Sequence, residues 1–317
     1  MIRIAAASLL CVLLACESHS AEISRHPLPE GFTYPEGIAL DKDGTAFYTA
    51  SAESGAVIRI EVASGNARTI VPRAVLIEGE AAFPGFLGLK LDEANRLWIA
   101  GGRTGAMLVV DTRSGDVIQR FKSYRAGSLI NDVALVRGSA YFTDSLNAVL
   151  WRVRSEGKQV EELEPWLELD STPIQYAEGV NLNGIVATAD GRDLIVVQMN
   201  KGLLFRINIE SKQITPIDVG GAALSGGDGL VLDKNLLYVV RQPEAEIVTL
   251  ELSQDHSTGN VLSRFKNAAL MWPATAAKAG DRLLVVNSQF NRYESKDPSL
   301  PFEIVEIPLA SLSPDRP

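Results

Sequence analysis

Leu129 to Ser145, LINDVALVRGSAYFTDS, reads as two short strands joined by a turn. An Asn131-Asp132 pair opens the first strand, Arg137-Gly138 turns the chain, and the second strand ends in Asp144-Ser145. Variants of this unit recur along the chain. Tyr34 to Leu40 leads through Asp43-Gly44 into Thr45 to Ala50, and Phe86 to Leu91 leads into Arg96 to Gly102. Asn183 to Ala187 leads through Asp190-Gly191 into Leu194 to Gln198; Asp228 to Leu232 leads into Leu236 to Arg241; Pro273 to Ala276 leads into Arg282 to Ser288. With Glu36, Leu87, Asn131, Asn183, Asp228 and Pro273 as equivalent positions, the steps are 51, 44, 52, 45 and 45 residues. Self-similarity at that period marks propeller blades. Six such units predict an all-β chain, a six-bladed β-propeller with four antiparallel strands per blade.

Blade one shows the plan. Residues 37–41, 45–50, 56–62 and 66–71 alternate with Asp43-Gly44, Glu53-Ser54-Gly55 and Ser64-Gly65, which are turn signals at hairpin spacing. No stretch carries helical periodicity over three turns. Glu22 to Leu28 is the candidate strand that closes the ring by completing the last blade. Longer insertions at Ala74 to Phe86 and Trp166 to Asn181 precede the inner strands of blades two and four, and are expected to fold over the central cavity as lids.

Residues 1–21 have the pattern of an export signal: Arg3 is followed by an apolar run, Ala5 to Ala15, too short to span a membrane. Leu13-Leu14-Ala15-Cys16 is similar to a bacterial lipobox, which would leave a lipidated Cys16; a cut after small residues near Ser20 or Ala21 is the other reading. On either reading residues 22–317 form one propeller domain, periplasmic, lipid-anchored or secreted. The mature chain then keeps at most one of the two cysteines, which excludes a disulfide and a thiolate metal site. A net charge of -9 argues against nucleic acid and against an anionic membrane surface. Membrane attachment is expected only through Cys16, and the propeller is expected to be monomeric.

The first residue of each inner strand points into one mouth of the central channel, so the equivalent positions form a ring. Glu36, Asn131, Asn183 and Asp228 place oxygen donors in it, two of them carboxylates. That donor set suits one hard divalent cation, Ca²⁺ first, with Mg²⁺, Mn²⁺ or Zn²⁺ as alternatives. Asn183-Gly184 and Asp228-Gly229 taken singly also fit ordinary turn chemistry. Ends of the second strands supply a second set, Arg103, Asp144, Ser145, Gln198, Asn200, Arg241 and Asn287, as candidates for substrate binding. Trp272, beside the ring, is a candidate pocket wall. Of the three histidines, His19 lies in the leader, His26 before blade one and His256 in a turn, so a Ser-His-Asp triad has no histidine at the cavity.

One motif per blade (Pro35-Glu36-Gly37, Asn131-Asp132, Asn183-Gly184, Asp228-Gly229) resembles the family of senescence marker protein, gluconolactonase and luciferin-regenerating enzyme. It also looks like the diisopropylfluorophosphatase propellers. The resemblance covers about residues 30–310. It implies a catalytic divalent metal held by Glu36, Asn131, Asn183 and Asp228, and hydrolysis of a lactone or related ester with Asp228 as general base or nucleophile. Sugar-lactonase members carry an Arg two residues before Asn-Asp, where this chain has Leu129. With Leu87, Phe83, Phe86 and Trp272 nearby, a less polar lactone or ester is expected. Arg241, Asn287, Asp144, Gln198 and Trp272 are the expected substrate contacts. The competing expectation is a non-catalytic propeller that binds a small molecule or a protein and uses the metal structurally.

Overall fold

The structure, a computed structural model, describes residues 22–72, 85–157 and 159–313. The leader with Cys16, most of the first insertion, and Phe83 lie outside the described residues. The strands form six four-stranded antiparallel sheets, each running from an inner strand outward. The inner strands are Pro35–Leu40, Leu89–Leu91, Ile130–Val136, Leu182–Ala187, Gly227–Asp233 and Pro273–Ala279. Each packs against the inner strands of the blades on either side, and the last returns to the first. Ser24–Pro27 pairs with Glu303–Pro308 as the outer strand of blade six, from Ser24 opposite Glu306 to Pro27 opposite Glu303. The six-bladed ring and its closing strand are as the repeats predict.

A strand buries alternate residues on opposite faces. Here both faces of each sheet meet a neighbouring blade, so runs such as Leu194 to Val197 and Leu283 to Val286 are apolar throughout. The core is consequently divided into apolar layers, one in each gap between blades. Leu97 and Ile99 enter the layer shared with blade one, while Trp98 and Ala100 enter the layer shared with blade three. The turn between the inner and second strands of blade one is held by its own side chain: Asp41 Oδ1 accepts from the Thr45 and Ala46 amides at 2.8 and 3.1 Å. Gly44 there takes a φ of 67°, in the region that favours glycine.

One irregularity positions the candidate ring residues. Near the start of the inner strand the pairing skips by one residue: Pro35 faces Ser51 but Ile38 faces Thr49. The same bulge recurs in blades three, four, five and six. A bulge inserts an unpaired residue and re-aims its neighbours. Its first residue (Glu36, Asn131, Asn183 or Asp228) turns to the channel mouth. Where its second residue is glycine, as in blades one, four and five, it faces the next blade so closely that a side chain has no room. A Cβ on Gly37 would lie 2.2 Å from the Leu87 carbonyl oxygen, and one on Gly184 2.3 Å from that of Asp228. The glycines after Asn183 and Asp228 are therefore contact residues between blades, and the turn reading of these pairs does not hold.

Asp132 occupies the second bulge position in blade three. Its Oδ1 accepts the Val133 amide at 2.8 Å and its Oδ2 accepts the Ile185 amide of blade four at 3.1 Å. The same register corrects the ring in blade six: Ala274, not Pro273, is equivalent to Asp228, because Pro273 pairs with Asn287 as Gly227 pairs with Arg241. The bulges predict a specific fragility. Gly184→Ala should lower stability by roughly 1–3 kcal/mol, the usual cost of overpacking, read as a fall in denaturant midpoint at unchanged m-value.

Candidate metal and ligand site

Glu36, Asn131, Asn183 and Asp228 come together at the floor of a cavity of about 170 Å³ at one mouth of the channel. All four are almost fully buried, at 3 to 5% exposure. Leu87, Leu129, Val180 and Phe290 form its apolar collar, and Arg103 and Gln242 are the remaining polar groups at its wall. The Asn131 amide is fixed from behind. Its Nδ2 donates to Ser145 Oγ at 3.0 Å, and that hydroxyl donates to the Leu182 carbonyl at 2.6 Å. This leaves Asn131 Oδ1 turned to the cavity with no hydrogen-bond partner, and Glu36 Oε2 is buried without a partner too. Asn183 sets its Nδ2 against the Met199 thioether at 3.3 Å.

Buried acceptors without donors are costly, and here the cost is compounded by charge. Burial above all, and then the charges of Asp228 and Asp132, push the Glu36 carboxyl well above its usual range, with Lys90 opposing. Burial and then Asp132 push Asp228 well up as well, with a hydrogen bond from Asn183 opposing. Both strains are relieved by a cation between the oxygens. Among the described residues no group of three or more His, Cys, Asp or Glu is gathered for a metal; the donor set is two carboxylates and two amides. Such an all-oxygen set fits a hard cation of the calcium class, which takes about 6–8 oxygens and so leaves coordination positions open to water or ligand.

The expected substrate contacts lie elsewhere. Asp144, Gln198, Arg241 and Asn287 end their second strands with side chains that tie down the loop entering the neighbouring inner strand. Asp144 Oδ1 accepts the Leu129, Leu146 and Asn147 amides. Gln198 Nε2 donates to the Gln175 carbonyl, and Arg241 Nε donates to that of Ser225 while its guanidinium pairs with Glu246. Asn287 accepts the Met271 amide at 2.8 Å and donates to the Ala269 carbonyl at 2.8 Å. Trp272 borders a separate recess with Gln289 and Arg292. Phe86 is buried in the layer between blades one and two.

The physical reason is strand alternation. One residue further on, the equivalent positions Ala52, Gly102, Ser145, Met199, Gln242 and Ser288 point the other way. Met199 and Gln242 line the cavity there, and Ser145 holds Asn131. Of the second insertion, Leu169 and Ile174 pack into the core and only Val180 reaches the cavity. Phe290 comes from a 3₁₀ turn, Phe290–Arg292, that follows the second strand of blade six.

No protein-family model matches the chain, and no curated protein matches it. Solved structures do. The chain is similar to the calcium-binding protein regucalcin from Agrobacterium tumefaciens, at 16% identity and TM-score 0.64 over 90% of this chain and 93% of that one. It is similar to a gluconolactonase from Xanthomonas campestris, at 15% identity and TM-score 0.63 over 91% of this chain and 90% of that one. It is also similar to virginiamycin B lyase from Staphylococcus aureus, at 12% identity and TM-score 0.57 over 91% of this chain and 99% of that one. At such identities the likeness shows the propeller fold. Regucalcin and gluconolactonase are the kind of protein that the motifs resemble.

Asn287→Ala should cost about 1–3 kcal/mol, because it strands a buried amide and carbonyl, yet leave calcium affinity unchanged by calorimetry. For Glu36 and Asp228 the folded carboxyls hold their protons to higher pH than the unfolded ones. Their contribution to stability is therefore fully present below the unfolded pKa and is lost as pH rises through the folded pKa. The metal-free protein should gain stability as pH falls from neutral toward the ordinary carboxylate range, and Asp228→Asn should flatten that slope. At neutral pH, calcium at 100 times its Kd should add about 2.7 kcal/mol, with the gain greatly reduced in Asp228→Asn.

Proposed function

We propose that the protein is an exported, metal-dependent hydrolase of a lactone or related ester. The observation that carries this reading is the ring of Glu36, Asn131, Asn183 and Asp228, with unpartnered oxygens at the floor of a small cavity. The similarity to regucalcin, whose structure is described as calcium-binding, and to a gluconolactonase supports it. Export is proposed from the leader pattern of residues 1–21, with lipidation at Cys16 decided by mass spectrometry of the mature N-terminus.

Glu36, Asn131, Asn183 and Asp228 would hold the cation, the two carboxylates supplying charge and the two amides neutral oxygens. Once bound, a divalent cation polarises a carbonyl and offsets the negative charge that develops on its oxygen. Asp228 takes a proton from a water at the cavity floor as that water's oxygen bonds to the carbonyl carbon. The carbon–oxygen bond to the ring or alcohol oxygen then breaks, and the proton passes from Asp228 to that leaving oxygen. Lactone and water give hydroxy acid, with no other reactant. Ser145 keeps Asn131 aimed, Asp132 keeps the blade-three bulge docked on blade four, and the apolar collar limits bulk water.

The test is hydrolysis of a panel of lactones and aryl esters by the purified mature chain, with chelator and with added Ca²⁺, Mn²⁺ or Zn²⁺. Turnover should require the metal, and Asp228→Asn should lose about 10²–10⁴-fold, the range for a general base. Single turnover in ¹⁸O-labelled water should leave Asp228 unlabelled; label in its carboxyl would make it the nucleophile. Absence of turnover on every substrate, with metal bound, would replace the hydrolase by a ligand-binding propeller.

A further inference from the structure

Among the described residues, Arg103 is the sole cationic side chain at the cavity wall. It projects from a turn with little freedom. Thr104 donates its amide to the Gly101 carbonyl at 3.2 Å, and Gly102, one of the two central residues, has a φ of 57° that suits glycine. Gly102 and Ile130 exchange both backbone hydrogen bonds, at 2.9 and 3.0 Å, so the turn is fastened to the blade-three strand that carries Asn131. The pedestal is rigid, while the Arg103 side chain is exposed and makes no hydrogen bond or ion pair among the described residues. Other arginines near strand ends are engaged: Arg241 with Glu246 and Ser225, Arg125 with Glu168. Across the ring, in blade five, the cavity offers only the neutral amide of Gln242.

The charges favour an anion. Asp132, behind the floor, is held by the Val133 and Ile185 amides. Among the described residues that line the cavity, a divalent cation offsets Glu36 and Asp228, and Arg103 is the charge that remains, with no carboxylate beside it at the wall. A guanidinium presents paired donors that match a carboxylate. The cavity, at about 170 Å³, is far below the ~300–1,000 Å³ of sites for drug-sized ligands. Its collar of Leu87, Leu129, Val180 and Phe290 suits a carbon skeleton with few hydroxyls. We infer that Arg103 sets the specificity of this cavity, and that its ligand is a compact, mainly apolar molecule carrying a carboxylate. Combined with the hydrolase reading, on which the word substrate depends, the substrate class is a lactone or ester that bears a carboxylate beside an apolar body.

The experiment titrates cyclopentanecarboxylate and its neutral amide, as probes, into the calcium-equilibrated protein and into Arg103→Gln. The carboxylate should bind wild type at least tenfold more tightly than the amide, and the ratio should collapse toward one in Arg103→Gln. Arg103→Glu should reverse the preference, favouring protonated cyclopentylamine over the carboxylate. A carboxylate preference that survives in Arg103→Gln overturns the inference, because the probe then rests on the cation alone and Arg103 is a solvated rim residue. No binding of the carboxylate overturns it as well. Turnover of a lactone and of its carboxylated analogue is scored separately. Arg103-dependent binding without turnover would remove the hydrolase and keep Arg103; turnover with equal kcat/KM for both would remove Arg103 and keep the hydrolase.

Discussion

The bulge at the head of the inner strand is the constraint on which this molecule depends. It does two jobs with adjacent residues. The first residue of each bulge is swung out of the pleat toward the axis, and the second is pressed onto the next blade. Close contact and site geometry therefore share one origin. Glycine at the second position lets neighbouring inner strands approach to backbone distance at Gly37, Gly184 and Gly229, and that approach brings donors from separate blades to one point. Where glycine is replaced, as by Asp132, the side chain takes over the docking through hydrogen bonds to Val133 and to Ile185 of the next blade.

The site is a place where the rules of the core are broken. Elsewhere the layers between blades are built from apolar side chains. At the channel mouth, burial above all pushes two carboxyls well above their usual range, with the charge of Asp132 adding to both, and two acceptor oxygens lack donors. Such an arrangement is a reservoir of unfavourable energy unless something positive fills it. The ring of blades supplies the rigidity that keeps the donors from collapsing away, since each sits on a strand packed on both faces.

Much of this is legible in the sequence because propeller blades repeat. Alternating turn signals such as Asp43-Gly44 and Asp190-Gly191 mark hairpins, and a carboxylate or amide residue at the equivalent position of four units marks the ring, so Glu36, Asn131, Asn183 and Asp228 stand out from the repeat alone. What escapes is a matter of single residues. The bulge adds one residue without a compositional signature in blade six, so Pro273 stands where Ala274 belongs. Alternation then flips the outcome at the second strand: Asp144, Gln198, Arg241 and Asn287 hold loops, while Ser145, Met199 and Gln242, one step further, face or support the cavity. Polarity marks both sets alike, and only register separates them. Phe290 and Val180 come from irregular segments, whose reach no periodicity encodes.

The proposed chemistry of this propeller rests on a divalent ion at the ring of Glu36, Asn131, Asn183 and Asp228. Crystals of the mature chain grown with Mn²⁺ and measured at its absorption edge would locate the ion without assumption. An anomalous peak within ligating distance of Glu36, Asn131, Asn183 and Asp228, absent in Asp228→Asn, is the predicted result. A peak elsewhere, or a fully loaded protein with those four side chains unliganded, would contradict it.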